Sequence, residues 1–185
     1  MTDLIPMTAL GARTPRVLAA GPLTLTERPE IALASLALRR GAVPPAPFGL
    51  VLPGPGGAVA LGEVTAVWTG PGQWMIAGEG LAGTGFAERV AAAAPGTSVT
   101  DQTDGWVWLE MTGPADGILS VAERLVNLPP AALAPGHATR TGLHHMSVFL
   151  VRPAPGRLAI WGMRSAAGSL WHAIATAMTR LEVAA

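Results

Sequence analysis

A glycine-rich segment carries the most specific chemical motif in this sequence. Gly78, Gly80 and Gly83 form a G-x-G-x-x-G pattern after a strand-like run and before a helix-like run. In dinucleotide-binding domains such glycines admit a pyrophosphate, and an acidic residue about 20 positions further on binds the ribose. Asp101 stands at a suitable distance, but Glu79 would place a carboxylate beside the pyrophosphate. The preceding run is also the second arm of a hairpin, which does not begin a parallel βαβ unit, so nucleotide binding is the less favoured prediction.

Four histidines are the candidate metal ligands or bases: His137, His144, His145 and His172. None forms the H-x-x-x-H or H-E-x-x-H pattern that places two ligands on one helix face. His144 and His145 are neighbours, and neighbouring residues of a strand point to opposite faces. We therefore expect a partly buried, hydrogen-bonded His144, in the core or at a subunit interface. The remaining histidines are expected on the surface, without a metal site.

Three carboxylates, Asp101, Asp104 and Glu110, surround a turn and the strand that follows it. General acid–base chemistry would need two of them in one cleft, whereas aspartate is also the usual residue for closing turns. No serine lies in a G-x-S-x-G motif. The chain has no cysteine and no lysine, which excludes thiolate, Schiff-base and Walker A chemistry. We predict no catalytic, cofactor-binding or metal-binding residue in this chain.

The composition limits the remaining classes of function. Only 13% of the 185 residues are charged, against about a quarter in a typical domain. The formal net charge is +0 and the arginines are scattered, so no nucleic-acid partner is expected. The longest apolar run, 31–38, is too short to cross a membrane, and a cytoplasmic protein is predicted. The low charge suggests either that much of the surface meets another protein or that the composition is biased toward Ala, Gly and Pro.

The pattern along the chain predicts an irregular N-terminal arm over residues 1–28 and a single compact domain over 29–185. Within that domain, two strand hairpins are each followed by a helix. The first set is predicted at 64–68, 73–77 and 84–94, and the second at 143–151, 157–162 and 166–181. This weak internal symmetry predicts an α+β fold of duplicated hairpin-helix units, with helices packed on antiparallel sheet.

The clearest predicted strand covers residues 106–111. Trp106 and Trp108 share one of its faces, and Val107 and Leu109 share the other. Because both faces are apolar, the strand is either covered twice within the protein or partly covered by a partner. Trp106 and Trp108 are therefore candidates, with His144, for the core or for a subunit interface.

The ordered set of turns and strands resembles the gamma subunit of heterotetrameric sarcosine oxidase. The motifs that carry the resemblance are WTGPGQW, VTDQTDGWVWL, RLVNL and ATRTGLHHMSV, at 68–74, 99–109, 124–128 and 138–148. They are scaffold segments rather than chemical signatures, so their order and spacing make the match specific. The resemblance covers most of the chain, is strongest between about 60 and 172, and weakens over the first 30 residues.

The resemblance implies a complex with alpha, beta and delta subunits that demethylates sarcosine to glycine. The one-carbon unit passes to tetrahydrofolate or leaves as formaldehyde, and oxygen becomes hydrogen peroxide. FAD, FMN, NAD and folate would be bound by the alpha and beta subunits, and zinc by delta, so this chain would carry no cofactor. The fold would resemble part of the folate-binding architecture of the glycine-cleavage T protein.

The favoured hypothesis is therefore a structural subunit that packs against a larger flavoprotein subunit and is itself non-catalytic. A stand-alone folate-binding protein of the aminomethyl-transfer type is the alternative. A dinucleotide-binding domain built on the glycine motif is the third hypothesis.

Overall fold

The computed structural model describes residues 5–183, which form eleven strands and three α-helices. In chain order the strands are β1 (Val17–Ala20), β2 (Leu23–Glu27), β3 (Ala32–Leu38), β4 (Ala58–Leu61), β5 (Val64–Gly70), β6 (Gln73–Gly78), β7 (Thr97–Asp101), β8 (Trp106–Thr112), β9 (His137–Leu143), β10 (Met146–Ala154) and β11 (Arg157–Met163). The helices are α1 (Phe86–Ala93), α2 (Ala115–Leu125) and α3 (Ala167–Val183). No helix in this part of the chain is long and apolar enough to cross a membrane.

The strands form two antiparallel sheets. The first has six strands in the order β1-β2-β8-β11-β10-β9, and the second has five in the order β4-β5-β6-β3-β7. Each sheet contains a three-stranded meander, β9-β10-β11 in the first and β4-β5-β6 in the second. The last strand of each meander pairs with one further strand: β11 with β8, and β6 with β3. A helix follows each meander: α3 after β11 and α1 after β6. The structure thus confirms the predicted α+β fold with duplicated hairpin-helix units.

The molecule consists of four layers, because the residues of each strand alternate between a helix-facing side and a sheet-facing side. On β3, Ala34 and Leu36 cluster with Val90 of α1, while Leu33 lies in the cluster between the sheets. In the other sheet, Leu109 clusters with residues of α2 and α3, while Trp161 faces the five-stranded sheet. The two sheets therefore pack face to face, with helices on the outer side of each.

The N-terminal segment corrects one prediction. Residues 17–27 are not an irregular arm, because β1 and β2 form a hairpin and β2 pairs with β8. Leu23 and Leu25 of β2 are fully buried in the core beneath α2 and α3. The boundary predicted at residue 28 therefore cuts through the six-stranded sheet, while residues 1–4 lie outside the described part.

The second predicted hairpin also differs from the structure. A strand over 143–151 was expected, but Leu143 pairs with Met146 across a two-residue turn. His144 and His145 form that turn, and the strand before it, β9, was not predicted. The hairpin of β10 and β11 follows it as expected.

Candidate functional site

The structure assigns the glycine motif a packing role rather than a phosphate-binding one. The strand before it, β6, is antiparallel to both of its neighbours, β3 and β5, so no βαβ unit is present there. A Cβ on Gly78 would lie 2.7 Å from the Phe86 ring, which explains the glycine by close packing. Gly80 and Gly83 have positive φ angles of 71° and 75° and serve as turn residues. Asp101 accepts a hydrogen bond from the Thr103 amide at 2.9 Å, as a turn-closing aspartate does.

All four histidines are exposed, and three of them, His144, His145 and His172, line one surface depression. His144 and His145 occupy the turn between β9 and β10, and both are exposed. The expectation of a partly buried, hydrogen-bonded His144 is therefore wrong. The reason is that the chain reverses at His144, with a φ of 50°, instead of continuing a strand. Within residues 5–183 no group of three or more metal-ligating side chains could hold a metal ion.

The two tryptophans of β8 lie in the layer between the sheets. Trp108 stacks on Trp161 with ring centroids 4.4 Å apart, and Trp106 lies 5.8 Å from Phe149. Both β8 tryptophans are half-buried and pack against the cluster between the sheets. The other face of β8, including Leu109, is buried beneath the helices. The strand is thus covered on both sides within the chain, and an interface role for these tryptophans remains a prediction.

A charged network, absent from the sequence predictions, lies where the two sheets meet. Arg28 follows β2 and forms ion pairs with Glu30, with Glu79 at the end of β6 and with Glu110 of β8. Arg157 binds the second oxygen of Glu110 at 2.6 Å. The Glu110 side chain is only 7% exposed, so its charge requires these partners. The network joins residues of both sheets.

The carboxylate partners of Arg28 together outweigh the effect of its burial on its pKa. Burial lowers the pKa of the Arg28 guanidinium, but hydrogen bonds to Glu30 and Glu79 and the charge of Glu110 outweigh burial. The pKa of Arg28 is therefore raised above its ordinary value. Next to it, the buried Glu27 carboxylate accepts hydrogen bonds from the Leu10 and Arg16 amides, at 2.9 and 3.2 Å. These carboxylates are therefore used to hold strands and the N-terminal loop in place.

A cleft of about 440 Å³ opens beside the network and is a candidate site. Met7 and the starts of β3 and β8 line it, together with Asp101 and Asp104. Arg164 donates a hydrogen bond to the Met7 carbonyl at 2.9 Å and lies 3.8 Å from the carboxylate of Asp104, which is fully exposed. A general acid or base needs a carboxyl group that is both partly desolvated and free to exchange a proton. Among the described residues of the cleft, every carboxylate is either engaged or fully solvated.

Of the three carboxylates selected from the sequence, the structure brings Asp101 and Asp104 to one cleft and places Glu110 apart from them. Glu110 lies in the charged network, and Asp101 and Asp104 lie at the turn between β7 and β8. Sequence reasoning missed Arg28 because its partners are 51 and 82 positions away, at Glu79 and Glu110. No local sequence signal marked Arg28, because residues 1–28 were predicted to be irregular.

Comparisons with known proteins identify the fold. No protein-family model and no curated protein matches the sequence. The structure is similar to a chain of the heterotetrameric sarcosine oxidase from Corynebacterium sp. U-96, solved in complex with pyrrole 2-carboxylate. The TM-score is 0.73 at 21% identity, over 90% of this chain and 89% of that chain.

A second similar structure is the glycine cleavage system aminomethyltransferase T from Bartonella henselae. The TM-score is 0.55 at 16% identity, over 80% of this chain but only 44% of that chain. This chain therefore corresponds to less than half of the aminomethyltransferase. Together these likenesses confirm, at the level of the fold, the resemblance to sarcosine oxidase and to part of the T-protein architecture: this chain has the fold of one chain of a heterotetrameric sarcosine oxidase.

Proposed function

We propose that this chain is an assembly subunit, equivalent to the gamma subunit, of a heterotetrameric sarcosine oxidase, and that it supplies no catalytic group. The observation that carries the proposal is the likeness of the fold over about nine-tenths of both chains. The described residues also hold no metal-binding cluster and no free carboxylate in the main cleft.

In this proposal the other three subunits, alpha, beta and delta, carry the chemistry. They bind FAD, FMN, NAD and zinc and use tetrahydrofolate, and the complex acts in the cytoplasm. Sarcosine is oxidised to glycine and oxygen is reduced to hydrogen peroxide. The methyl carbon passes to tetrahydrofolate or leaves as formaldehyde.

An apolar edge of the five-stranded sheet supports a subunit contact. The outer strand, β4, pairs with β5, and its other edge is bonded only at its start, where the Ala58 amide donates to the Gly136 carbonyl. Its Val59 and Leu61 side chains are 41% and 54% exposed. The loop that carries Phe48 and Val51 lies beside it, since a Cβ on Gly49 would stand 3.9 Å from the Leu61 side chain. Unpaired apolar edge strands invite pairing with another chain, and natural proteins protect them with charges or cover them. β4 carries no charge, so we expect a partner subunit to cover it.

The alternative, a stand-alone folate-binding protein, has the likeness to aminomethyltransferase T in its favour. That likeness reaches less than half of the solved chain, so more than half of that architecture has no counterpart here. Calorimetric titration with tetrahydrofolate tests it. Saturable heat from the isolated chain would favour the alternative, and no heat at millimolar ligand would reject it.

The assembly proposal is tested by affinity purification of the tagged chain from its own host, with β4 variants beside the native sequence. The native chain should bring down larger chains and a yellow colour. Leu61→Glu should reduce both, because it places a charge on the edge proposed to be covered. Val17→Glu, on the outer strand of the other sheet, is the matched control and should retain them. A native chain that elutes alone and colourless would contradict the proposal.

A further inference from the structure

A second depression, of about 570 Å³, lies between the end of α2, the turn from β9 to β10, and α3. We call it the α3 groove. It shares no lining residue with the cleft beside Arg28. Nothing in the proposed assembly role uses it.

One face of α3 forms the long wall of the α3 groove. Ser169, His172, Thr176 and Arg180 line it at spacings of three or four residues, which places them in one stripe along a helix. The stripe is about 16 Å long, at roughly 1.5 Å per residue. Between these polar side chains, small and apolar residues leave room for a ligand and make the floor: Ala173, Ala177, Leu125 and Met146.

The rim of the α3 groove is rich in groups that bind anions. Arg124 approaches from the end of α2, Arg180 from α3, and His144 and His145 from the turn. Among residues 5–181, neither of these two guanidiniums has an ion-pair or hydrogen-bond partner, unlike the guanidinium of Arg28. No carboxylate of residues 5–181 lines the groove. A cationic rim without acidic partners over an apolar floor favours an anion with an apolar body.

The backbone at the turn adds an independent observation. His144 has a φ of 50°, a left-handed conformation that glycine adopts at less cost. Residues in this conformation are held in it by the structure around them, here the tight turn between β9 and β10, and they cluster at functional sites. Here the conformation places an exposed imidazole on the rim of the α3 groove rather than in the sheet.

We propose that the α3 groove binds a small organic anion: a carboxylate, sulfonate or phosphate ester on a flat apolar body. Its volume lies within the range of small-molecule sites, roughly 300–1,000 Å³. The two guanidiniums and the imidazoles hold the anionic group, and the alanines of α3 contact the apolar body. An inorganic anion would bind only the charged groups of the rim, and a neutral hydrophobic molecule would contact only the apolar floor.

Fluorescence titration of the purified full chain tests the proposal with three probes. The aromatic sulfonate 8-anilinonaphthalene-1-sulfonate has both features, neutral N-phenyl-1-naphthylamine lacks the charge, and inorganic phosphate lacks the apolar body. We expect saturable binding of the sulfonate at one site, with weaker binding of the other two. Arg124→Gln and Arg180→Gln should each weaken sulfonate binding by roughly five- to tenfold.

The control is Arg89→Gln, which removes an exposed guanidinium from α1, outside the groove. It should leave binding unchanged. Unchanged binding in the Arg124→Gln, Arg180→Gln double variant, with an unchanged melting temperature, would overturn the proposal, as would equal weakening by Arg89→Gln. If the double variant instead loses a co-purifying chain and keeps probe binding, the groove is a protein-docking site and the ligand proposal is wrong. A failure of the assembly proposal can be told apart from a failure of this one. If only the assembly proposal is wrong, the Arg124 and Arg180 variants still bind the sulfonate more weakly than Arg89→Gln does.

Discussion

Replacement of Arg28 by methionine tests the charged network between the sheets. The Arg28 side chain is 16% exposed and that of Glu110 is 7% exposed, so Arg28→Met leaves a buried carboxylate without one of its two cations. Removing one partner of a buried pair costs about 3–5 kcal/mol. Arg157 still binds Glu110, and contacts of Arg28 with the exposed Glu30 and Glu79 add little. We expect a loss of about 3 kcal/mol in the free energy of unfolding.

Urea denaturation followed by tryptophan fluorescence measures this loss. The matched control is Arg157→Met, because that side chain is 42% exposed and its pair with Glu110 is partly screened by solvent. The control should lose about 1 kcal/mol or less. The reasoning would be refuted if Arg28→Met lost less than about 1 kcal/mol, or lost no more than Arg157→Met. Arg28 would then contribute little to the stability of the charged network.

The pH dependence of the same variant follows from the direction of the Arg28 pKa. Its pKa is raised in the folded state, so its stabilising contribution is full below the unfolded pKa and is lost only as the pH rises through the folded one. Both values lie above the range in which proteins are usually studied. The stability difference between the native chain and Arg28→Met should therefore stay constant from about pH 6 to pH 10. A difference that shrinks as the pH rises through that range would contradict this.

Four further substitutions separate packing from binding. Gly78→Ala should lower the free energy of unfolding by about 1–3 kcal/mol, because its Cβ would lie 2.7 Å from the Phe86 ring. An effect on nucleotide binding, with an unchanged denaturation midpoint, would instead support the dinucleotide hypothesis. Trp161→Ala should cost about 3–5 kcal/mol because Trp161 is fully buried, and Trp108→Ala should cost less because it is half-buried; a larger loss for Trp108→Ala would contradict this order. His144→Gly should raise the stability by about 1 kcal/mol by relieving the left-handed backbone, and a lowered melting temperature would show that the imidazole stabilises the fold.

The sequence predicts the middle of this fold well because its signals there are local. The strands predicted at 64–68 and 73–77 lie within β5 and β6, which a Gly-Pro-Gly turn joins. Of the two alternatives for β8, the structure shows both faces covered within the chain.

Elements with weak local signals were missed. β1 and β2 are four and five residues long, and β2 pairs with β8 more than 80 positions away, so tertiary contacts rather than local preference form this hairpin. The turn at His144 lacks the Gly, Asn or Asp that marks a two-residue hairpin. The helix predicted over 84–94 begins at Phe86, with Gly85 at its N-cap, and the Thr84 hydroxyl donates to the Leu81 carbonyl.

The site features depended even more on long-range contacts. Glu110 was identified as a candidate acid from its position after a turn, but its role is set by Arg28 and Arg157, 82 and 47 positions away. The α3 groove unites the end of α2, a turn and a helix stripe that no spacing rule connects. Only the stripe of His172, Thr176 and Arg180 was visible as a polar helix face.

The most direct test of the central claim, that this chain works inside a larger flavoprotein assembly, is the molar mass of the native particle that contains it. The tagged chain, purified from its own host, would be analysed by size-exclusion chromatography with light scattering and a visible absorbance spectrum. The account predicts one particle far heavier than the 18.9 kDa chain, with flavin absorbance that co-elutes with it. A colourless particle with the mass of the chain alone would contradict it.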